Sequence, residues 1–385
     1  MLMFSSSSGF AGNPGAAADP AESRRYNRLL RRLGVADSAL GLALMALLLI
    51  TNWSSDIRNF AFSKAGDRHA LALFLYTSIL LLLAKAFGLG LDYYSFQLEH
   101  RYHLSNQQLP AWARDQVKGF LVVFLIAQVL VQVVYFLIRW QPHWWWVTAW
   151  AVFMALSVLL AQLAPLVLFP LFFRFRALAN EELAARLARL SERAGARVRG
   201  VYEWILSEKT RKANAAVMGL GRTRRIVISD TLLAACNDDE IEAVLAHELG
   251  HHVHRHMLKG IVFQSVVTFF GFWCLKLAVR WAEFDWKRYE QIDFANLPLM
   301  VLVATAVCLM LMPVINAYSR FNERQADLYA WKTVGDTAPF CSAMEKLAVQ
   351  NLSERDPSRL VEILFHGHPS VGRRIRSAAA WSARG

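Results

Sequence analysis

Five histidines lie between residues 247 and 256 in the stretch AVLAHELGHHVHRHM. Three residues of this stretch, His247, Glu248 and His251, fit the pattern His-Glu-x-x-His. Residues four apart lie on one face of a helix, so both imidazoles can reach the same ion. Glu248 would project beside them, where it can accept a proton from a water on that ion. Zinc favours this chemistry because it acidifies water and polarises a carbonyl, so the pattern predicts a catalytic metal site suited to amide hydrolysis.

The other three histidines of the stretch have no glutamate at a matching position. We interpret His252, His254 and His256 as a polar helix face near a membrane surface. Their alternative role is in a second metal site or in contact with a substrate.

Two helical histidines leave a catalytic zinc one protein ligand short. The candidate for the third ligand is Glu323, in the segment SRFNERQAD at residues 319–327. Asp327 follows four residues later, so it shares a helix face with Glu323 and can hold the far nitrogen of a ligand histidine. The alternative is a solvated, charged helix end.

Local patterns predict the elements that position these residues. Asn237 and the acidic residues after it indicate a helix start directly before the histidines. Short β-like stretches at 214–218 and 225–229 flank the glycine-containing turn at 219–222 and predict a hairpin. The leucine spacing in 181–194 predicts an amphipathic helix.

Long apolar runs dominate the rest of the chain, which is 55% hydrophobic with a mean hydropathy of +0.28. Most of them reach or approach the roughly 20 residues that cross a hydrocarbon core of about 30 Å. The sequence therefore predicts an integral, multi-pass membrane protein with about six transmembrane helices. The runs are at 34–50, 70–91, 117–140, 144–173, 260–282 and 297–314.

The distribution of charge predicts the orientation. Five arginines between residues 24 and 32 precede the first run, and a basic flank is normally retained in the cytoplasm. Residues 174–259 and the C-terminal segment then face the cytoplasm, in the cytoplasmic membrane if the chain is bacterial. Orientation and anionic lipid headgroups explain the net charge of +12, so we expect membrane lipids and no nucleic acid as partners.

Three blocks follow from these patterns. Residues 1–23 form a polar tail that is expected to be disordered. Residues 24–173 form a membrane domain with four crossings, the fourth kinked near Pro165 and Pro170. Residues 174–385 carry the histidine motif and the last two crossings.

The sequence resembles the M48 family of zinc metallopeptidases, and within it the Ste24-like group of CAAX prenyl proteases. The resemblance covers roughly residues 60–380. It rests on HELGH at 247–251, SRFNERQAD at 319–327, RKANAAVMGLGRTRRIVISDTLL at 211–233 and FQLEHRYHLSNQ at 96–107. It implies an all-α polytopic membrane protein that carries a zincin-type metallopeptidase site and a small β-hairpin.

The resemblance implies one zinc per chain, with His247, His251 and Glu323 as its ligands. It also implies Glu248 as the general base and Asp327 as a partner behind a ligand histidine.

Three further residues are implied to act on the substrate. Asn214 would bind its backbone near the scissile bond. His368, in a His-Pro pair, would lie near the zinc and stabilise the transition state. Arg374 would support substrate binding.

The sequence therefore predicts a zinc-dependent metalloendopeptidase that hydrolyses peptide bonds at the cytoplasmic membrane face. Its substrate would be a peptide or protein, lipidated or membrane-anchored if the resemblance to CAAX-box processing extends to specificity. Two alternatives remain open. One is a quality-control protease of the same family that degrades membrane proteins. The other is a transporter or scaffold with a non-catalytic metal site.

Overall fold

Long apolar helices dominate the fold. The computed structural model describes residues 19–219, 224–286 and 289–384. Within them, six helical spans are long and apolar enough to cross a membrane, as the sequence predicts. The spans contain α1 (Pro20–Ile50), α3 (His69–Arg101), α4 (Leu109–Trp140), α5 (Trp145–Leu163) with α6 (Phe169–Phe172), α10 (His256–Phe284) and α11 (Leu297–Val334), and the shorter α2 (Trp53–Ala65) lies between α1 and α3.

The first helix begins earlier than the predicted boundary of the disordered tail. Asp19 accepts a hydrogen bond from the backbone N–H of Ala21 at 2.8 Å, and Pro20 occupies the first turn. An aspartate cap followed by proline is a favoured helix start. Residues 20–23 are therefore helical, whereas residues 1–18 of the predicted tail lie outside the described residues.

The predicted kink in the fourth crossing coincides with a change of helix type. Residues Ala164–Leu168 form a π-helical turn between α5 and α6. Pro165 lies inside that turn, and Pro170 follows in α6. Because proline removes a backbone donor, the local rearrangement of hydrogen bonds is expected at this position.

A four-stranded sheet follows the fourth crossing. Its strands are β1 (Arg174–Ala177), β2 (Val201–Ile205), β3 (Ala215–Met218) and β4 (Arg225–Ser229), in the spatial order β1-β2-β4-β3. The antiparallel pair of β3 and β4 is the predicted hairpin. The sheet is larger than the hairpin because β2 pairs in parallel with β4, and β1 in antiparallel fashion with β2. This order leaves β3 at an edge of the sheet.

Six further helices complete the described part of the fold. They are α7 (Glu181–Arg193), α8 (Asp230–Ala235), α9 (Asp238–Val253), α12 (Ala338–Gln350), α13 (Arg359–Phe365) and α14 (Val371–Ser382). One buried cluster joins α7, α8, α9, α12 and α14 to the sheet and to α11, whereas α13 packs against α11. The cluster includes Leu187, Ile228, Leu249, Trp331 and Phe340. Since Leu249 lies on α9 and Trp331 on α11, this core fixes the histidine helix against the helix that carries Glu323.

Polar contacts join the N-terminal membrane helices to the same core. The hydroxyl of Tyr26 on α1 donates to Glu99 Oε1 on α3 at 2.5 Å, and Lys212 Nζ donates to that oxygen at 2.9 Å. The side-chain amide of Asn27 donates to the carbonyl oxygen of Leu352 at 2.7 Å. One end of α1 and of α3 therefore lies against the segment that leads into β3.

Candidate metal centre

Helix α9 begins with a reciprocal cap. Asn237 Oδ1 accepts a hydrogen bond from the backbone N–H of Glu240, and the Glu240 carboxylate accepts one from the backbone N–H of Asn237. The buried carboxylate also accepts hydrogen bonds from Lys346 and Ser342 of α12. Such a capping box satisfies backbone donors that the helix itself leaves without partners. The predicted helix start is confirmed. The bonds from Glu240 to α12 also fix how α9 is rotated about its own axis.

The structure brings together the three predicted ligands. His247 Nε2 lies 3.3 Å from His251 Nε2, and each nitrogen lies 3.3 Å from one oxygen of Glu323. Their ligand atoms all lie within 4.8 Å of one another. Among the described residues this is the one cluster of histidine, cysteine and acidic residues with such spacing.

A glycine permits this close approach of α9 and α11. A Cβ atom built on Gly250 would lie 2.8 Å from Ala326 Cα and 3.0 Å from the Ala326 carbonyl oxygen. Both are backbone atoms, so a side chain at Gly250 would separate the two helices. Gly250 therefore allows the histidine ligands of α9 to reach Glu323 of α11.

The donor set fits a zinc ion. Two imidazole nitrogens and one carboxylate form a recognised catalytic zinc set that leaves a coordination position open. Glu323 is 4% exposed, and its buried Oε2 atom has only histidine nitrogens close to it, His247 Nε2 at 3.3 Å and His368 Nδ1 at 2.8 Å, with neither in regular hydrogen-bond geometry. Buried carboxylate oxygens are costly unless they are paired or bind a metal. A cation between the three side chains would satisfy this oxygen.

The far nitrogen of His247 is held by two charged residues. His247 Nδ1 lies 2.9 Å from Asp327 Oδ1, and Asp327 accepts two hydrogen bonds from Arg374 at 2.5 and 3.0 Å. Burial lowers the pKa of His247, but hydrogen bonds to Asp327 and Glu323 outweigh this effect and raise it to about 9. A metal ion must displace that proton from Nε2, so metal binding at this site releases protons.

Glu248 stands apart from the ligand set. It lines the cavity beside His247 and contributes no atom to the cluster of three ligands. Burial raises the pKa of the Glu248 carboxyl above its usual value. A carboxylate of raised pKa is a stronger base, which suits proton transfer near neutral pH.

His368 approaches the centre from the C-terminal segment. Its Nδ1 atom lies 2.8 Å from Glu323 Oε2, while 69% of its side chain is exposed. The structure therefore places His368 beside the predicted ligand Glu323. Its exposed imidazole is accessible from the cavity that it lines.

The cavity has a volume of about 510 Å³ and extends from His247 to the sheet edge at Asn214 and Ala215. Asn214, directly before β3, is exposed at its wall. Its backbone N–H donates to Ser229 Oγ and its carbonyl oxygen accepts from the Ser229 N–H, at 2.9 Å each, so these bonds hold its backbone beside the cavity. Arg374 also lines the cavity, but its bonds to Asp327 place it behind His247. No sequence pattern indicates this pairing, because the two residues are 47 positions apart.

The interpretation of the other three histidines as one polar helix face is wrong for His256. Helix α9 ends at Val253, and Arg255 has a φ of +55°, so the chain turns before α10 begins. His256 is consequently 6% exposed and lies against His251. His252 and His254 remain partly exposed, with His252 near Arg224.

Comparisons with known proteins agree with this geometry. The profile of peptidase family M48 matches residues 177–382, and the profile "CAAX prenyl protease N-terminal, five membrane helices" matches residues 17–174. The chain is 31% identical to the uncharacterized metalloprotease YhfN of Bacillus subtilis, over 94% of this chain and 88% of that protein. It is 26% identical to CAAX prenyl protease 1 of Saccharomyces cerevisiae, over 78% and 70% of the two chains.

A solved structure shares the fold. The crystal structure of S. mikatae Ste24p superposes with a TM-score of 0.81 at 22% identity, covering 93% of this chain and 88% of that one. The profile matches and the extent of the similarity to YhfN lead to one conclusion. The chain is an integral membrane metalloendopeptidase that belongs to peptidase family M48.

Proposed function

We propose that this metalloendopeptidase is zinc-dependent and cleaves peptide bonds of membrane-associated substrates at the cytoplasmic face. The observation that supports this proposal is the cluster of His247, His251 and Glu323 next to a cavity, which is lined by His247 and by Glu248, a residue outside the ligand set. A structural or transport site has no need of a base at Glu248. This position favours hydrolysis over a transporter or scaffold.

The metal ligands, Glu248 and His368 have separate roles in the proposed reaction. Zinc, when bound by the three ligands, supplies a Lewis acid that polarises a carbonyl and acidifies water. The Glu248 carboxylate accepts a proton from the attacking water and returns it to the nitrogen of the leaving amine. The new bond joins the water oxygen to the carbonyl carbon, and the carbon–nitrogen bond breaks. His368 donates a hydrogen bond to the oxyanion formed on the substrate.

The edge strand provides a place for the substrate backbone. Because β3 pairs with β4 on one side only, an extended peptide can add to its other side. Asn214 at the start of that strand is suited to hold the peptide near the scissile bond. Backbone pairing of this kind tolerates varied side chains, so it leaves selectivity to other contacts.

The location of the site supports a substrate at the membrane surface. Glu323 lies on α11, the same continuous helix as the last apolar span, and His251 lies five residues before α10 begins. At about 1.5 Å per residue, both ligands lie within roughly 15 Å of an apolar segment. A lipidated or membrane-anchored chain can thus reach the site without leaving the bilayer.

A matched peptide pair tests this substrate class. We expect a peptide with a C-terminal isoprenoid group to be cleaved with at least about tenfold higher kcat/KM than the same peptide without it, since each buried CH₂ contributes about 0.8 kcal/mol to membrane partitioning. Cleavage would be followed by mass spectrometry, with the Glu248→Gln variant as the control for contaminating proteases. Equal kcat/KM for the two peptides would favour the alternative, a quality-control protease of broad specificity.

The proposed orientation follows from charge and from the contacts of the helix ends. The arginines near the start of α1 favour a cytoplasmic N-terminus. The contacts of Tyr26 and Glu99 with Lys212 require the inner ends of α1 and α3 to lie on the same side as the sheet. With six spans, α11 then returns Glu323 to that side.

Thiol labelling tests the orientation. In a variant without the four native cysteines, Glu192→Cys on α7 should react with a membrane-impermeant thiol reagent only after cells are permeabilised. His143→Cys, between α4 and α5, should react in intact cells. Both positions are exposed, so burial does not prevent labelling. The reverse pattern would place the metal centre on the extracytoplasmic side.

A further inference from the structure

The two histidine ligands differ in what holds them. His247 is 9% exposed in its side chain and donates from Nδ1 to the carboxylate of Asp327. His251 is 29% exposed, and its Nδ1 faces the imidazole of His256 instead of a carboxylate. The distance from His251 Nδ1 to His256 Nδ1 is 3.0 Å. His251 is thus the more exposed of the two histidine ligands, and the partner of its Nδ1 atom is an imidazole, whereas the partner of His247 Nδ1 is a carboxylate.

A backbone turn places that partner. Arg255 adopts the left-handed conformation, with φ +55° and ψ 37°, although it is not a glycine. A non-glycine residue in this region is uncommon and costs conformational energy. The turn lets the first residue of α10, His256, fold back against His251 and become buried. A continuous helix would leave these two residues, five apart in sequence, on different faces.

The positions of the protons follow from the contacts. If His251 binds a metal through Nε2, its single N–H is at Nδ1, and that group donates to His256 Nδ1. His256 Nδ1 must then be unprotonated, so His256 carries its hydrogen on Nε2. That atom lies 2.9 Å from Gln325 Oε1, which accepts the hydrogen bond. The hydrogen bonds then run in one direction, because His251 donates to His256 and His256 donates to Gln325.

The hydrogen-bonded series from His251 through His256 to Gln325, called the relay below, ends on the helix that carries the third ligand. Gln325 lies on α11 two residues after Glu323. It therefore ties the orientation of His251 on α9 to the position of Glu323 on α11, as Asp327 does for His247. Among the described residues no second cluster with metal-ligand spacing includes His256, so a separate metal site is not its role.

We propose that His256 is a positioning residue for the metal ligand His251, holding it in the Nδ1–H tautomer through a relay anchored on Gln325. This rests on the proposed metal centre. Partners behind a ligand histidine fix its ring and tautomer, and their removal typically weakens metal affinity about 10–100-fold. The role differs from catalysis because His256 reaches the metal only through His251.

Zinc affinity of the full-length protein in detergent, measured by competition with a chelator of known affinity, tests the proposal. We expect His256→Phe, which keeps an aromatic ring and removes both nitrogens, to weaken zinc binding about 10–100-fold. Gln325→Leu removes the terminal acceptor and should weaken it to a smaller extent. Gln325→Glu offers a carboxylate to His256 Nε2 and should keep wild-type affinity or exceed it.

The matched control is His254→Phe. His254 stacks on His256, with ring centroids 5.5 Å apart, but makes no contact with a ligand nitrogen, so zinc affinity should stay within about threefold of wild type. Unfolding temperatures of the metal-free proteins separate a change of fold from a change of ligand orientation. They should be similar for both phenylalanine variants.

The outcomes are distinguishable. Wild-type zinc affinity in His256→Phe, or an equal loss in His254→Phe, would overturn the positioning role and leave the metal centre intact. If His256→Phe does not fold, Gln325→Leu and Gln325→Glu decide, and equal affinity in those two variants overturns the proposal. Wild-type protein that binds no zinc would overturn the metal centre and the relay with it.

Discussion

The Glu248→Gln variant should retain its zinc and its fold while turnover falls by about 10²–10⁴-fold or more, the typical loss when a general base is removed. Glutamine is close to glutamate in shape but cannot accept the proton from water. Because Glu248 contributes no atom to the ligand cluster, the metal site is expected to persist. The measurement is kcat on one peptide substrate together with metal content.

A second glutamate on the same helix provides the control. Glu242 pairs with Arg186 of α7 and is not among the residues that line the cavity. The Glu242→Gln variant should therefore cleave peptide within a few-fold of wild type. If Glu248→Gln also stayed within a few-fold, Glu248 would have no role as the base.

Gly250→Ala should have the largest effect on the assembly of the centre. The added methyl group would meet the backbone of Ala326 at 2.8 Å, and backbone atoms in a packed helix have little room to yield. Overpacking of this kind costs about 1–3 kcal/mol, and occasionally more. Because Gly250 adjoins His251 on α9 and Ala326 is three residues after Glu323 on α11, we expect a lower unfolding temperature, weaker zinc binding and loss of activity together.

Gly260→Ala on α10 is the matched substitution. No atom lies within 4 Å of the Cβ that it would introduce, and the backbone is helical. Alanine is favoured over glycine within a helix by about 1 kcal/mol, so this variant should be as stable as wild type or more so. A Gly250→Ala variant with the unfolding temperature and zinc affinity of wild type would mean that α9 and α11 are not packed as described.

The elements that the sequence predicts correctly are those with local signals. Six apolar runs, the cap at Asn237 and the hairpin of β3 and β4 each depend on a short stretch of chain. Strands β1 and β2 were not predicted because they have four and five residues, and β2 is held by parallel pairing with β4, which is distant in sequence. Asp19 and Pro20 carried a readable helix-start signal that the composition of the tail obscured.

In the site, too, local motifs are predictable from the sequence and contacts between distant segments are not. The ligands and Glu248 come from two motifs, and their meeting depends on the contact of Gly250 with Ala326, which periodicity does not reveal. The role of His256 was not readable because the helical spacing of His252 and His256 assumes that the helix continues. The left-handed turn at Arg255 ends it, and arginine gives no sequence signal for that conformation.

The metal content of the purified protein tests the central claim most directly. The wild-type protein and the Glu323→Ala variant would be purified without chelators. Their zinc-to-protein ratios would be measured by elemental mass spectrometry. We expect about one zinc per chain in the wild type and a small fraction of that in Glu323→Ala, since a catalytic zinc needs three protein ligands. A full complement of zinc in Glu323→Ala, or active wild-type protein without zinc, would contradict the account.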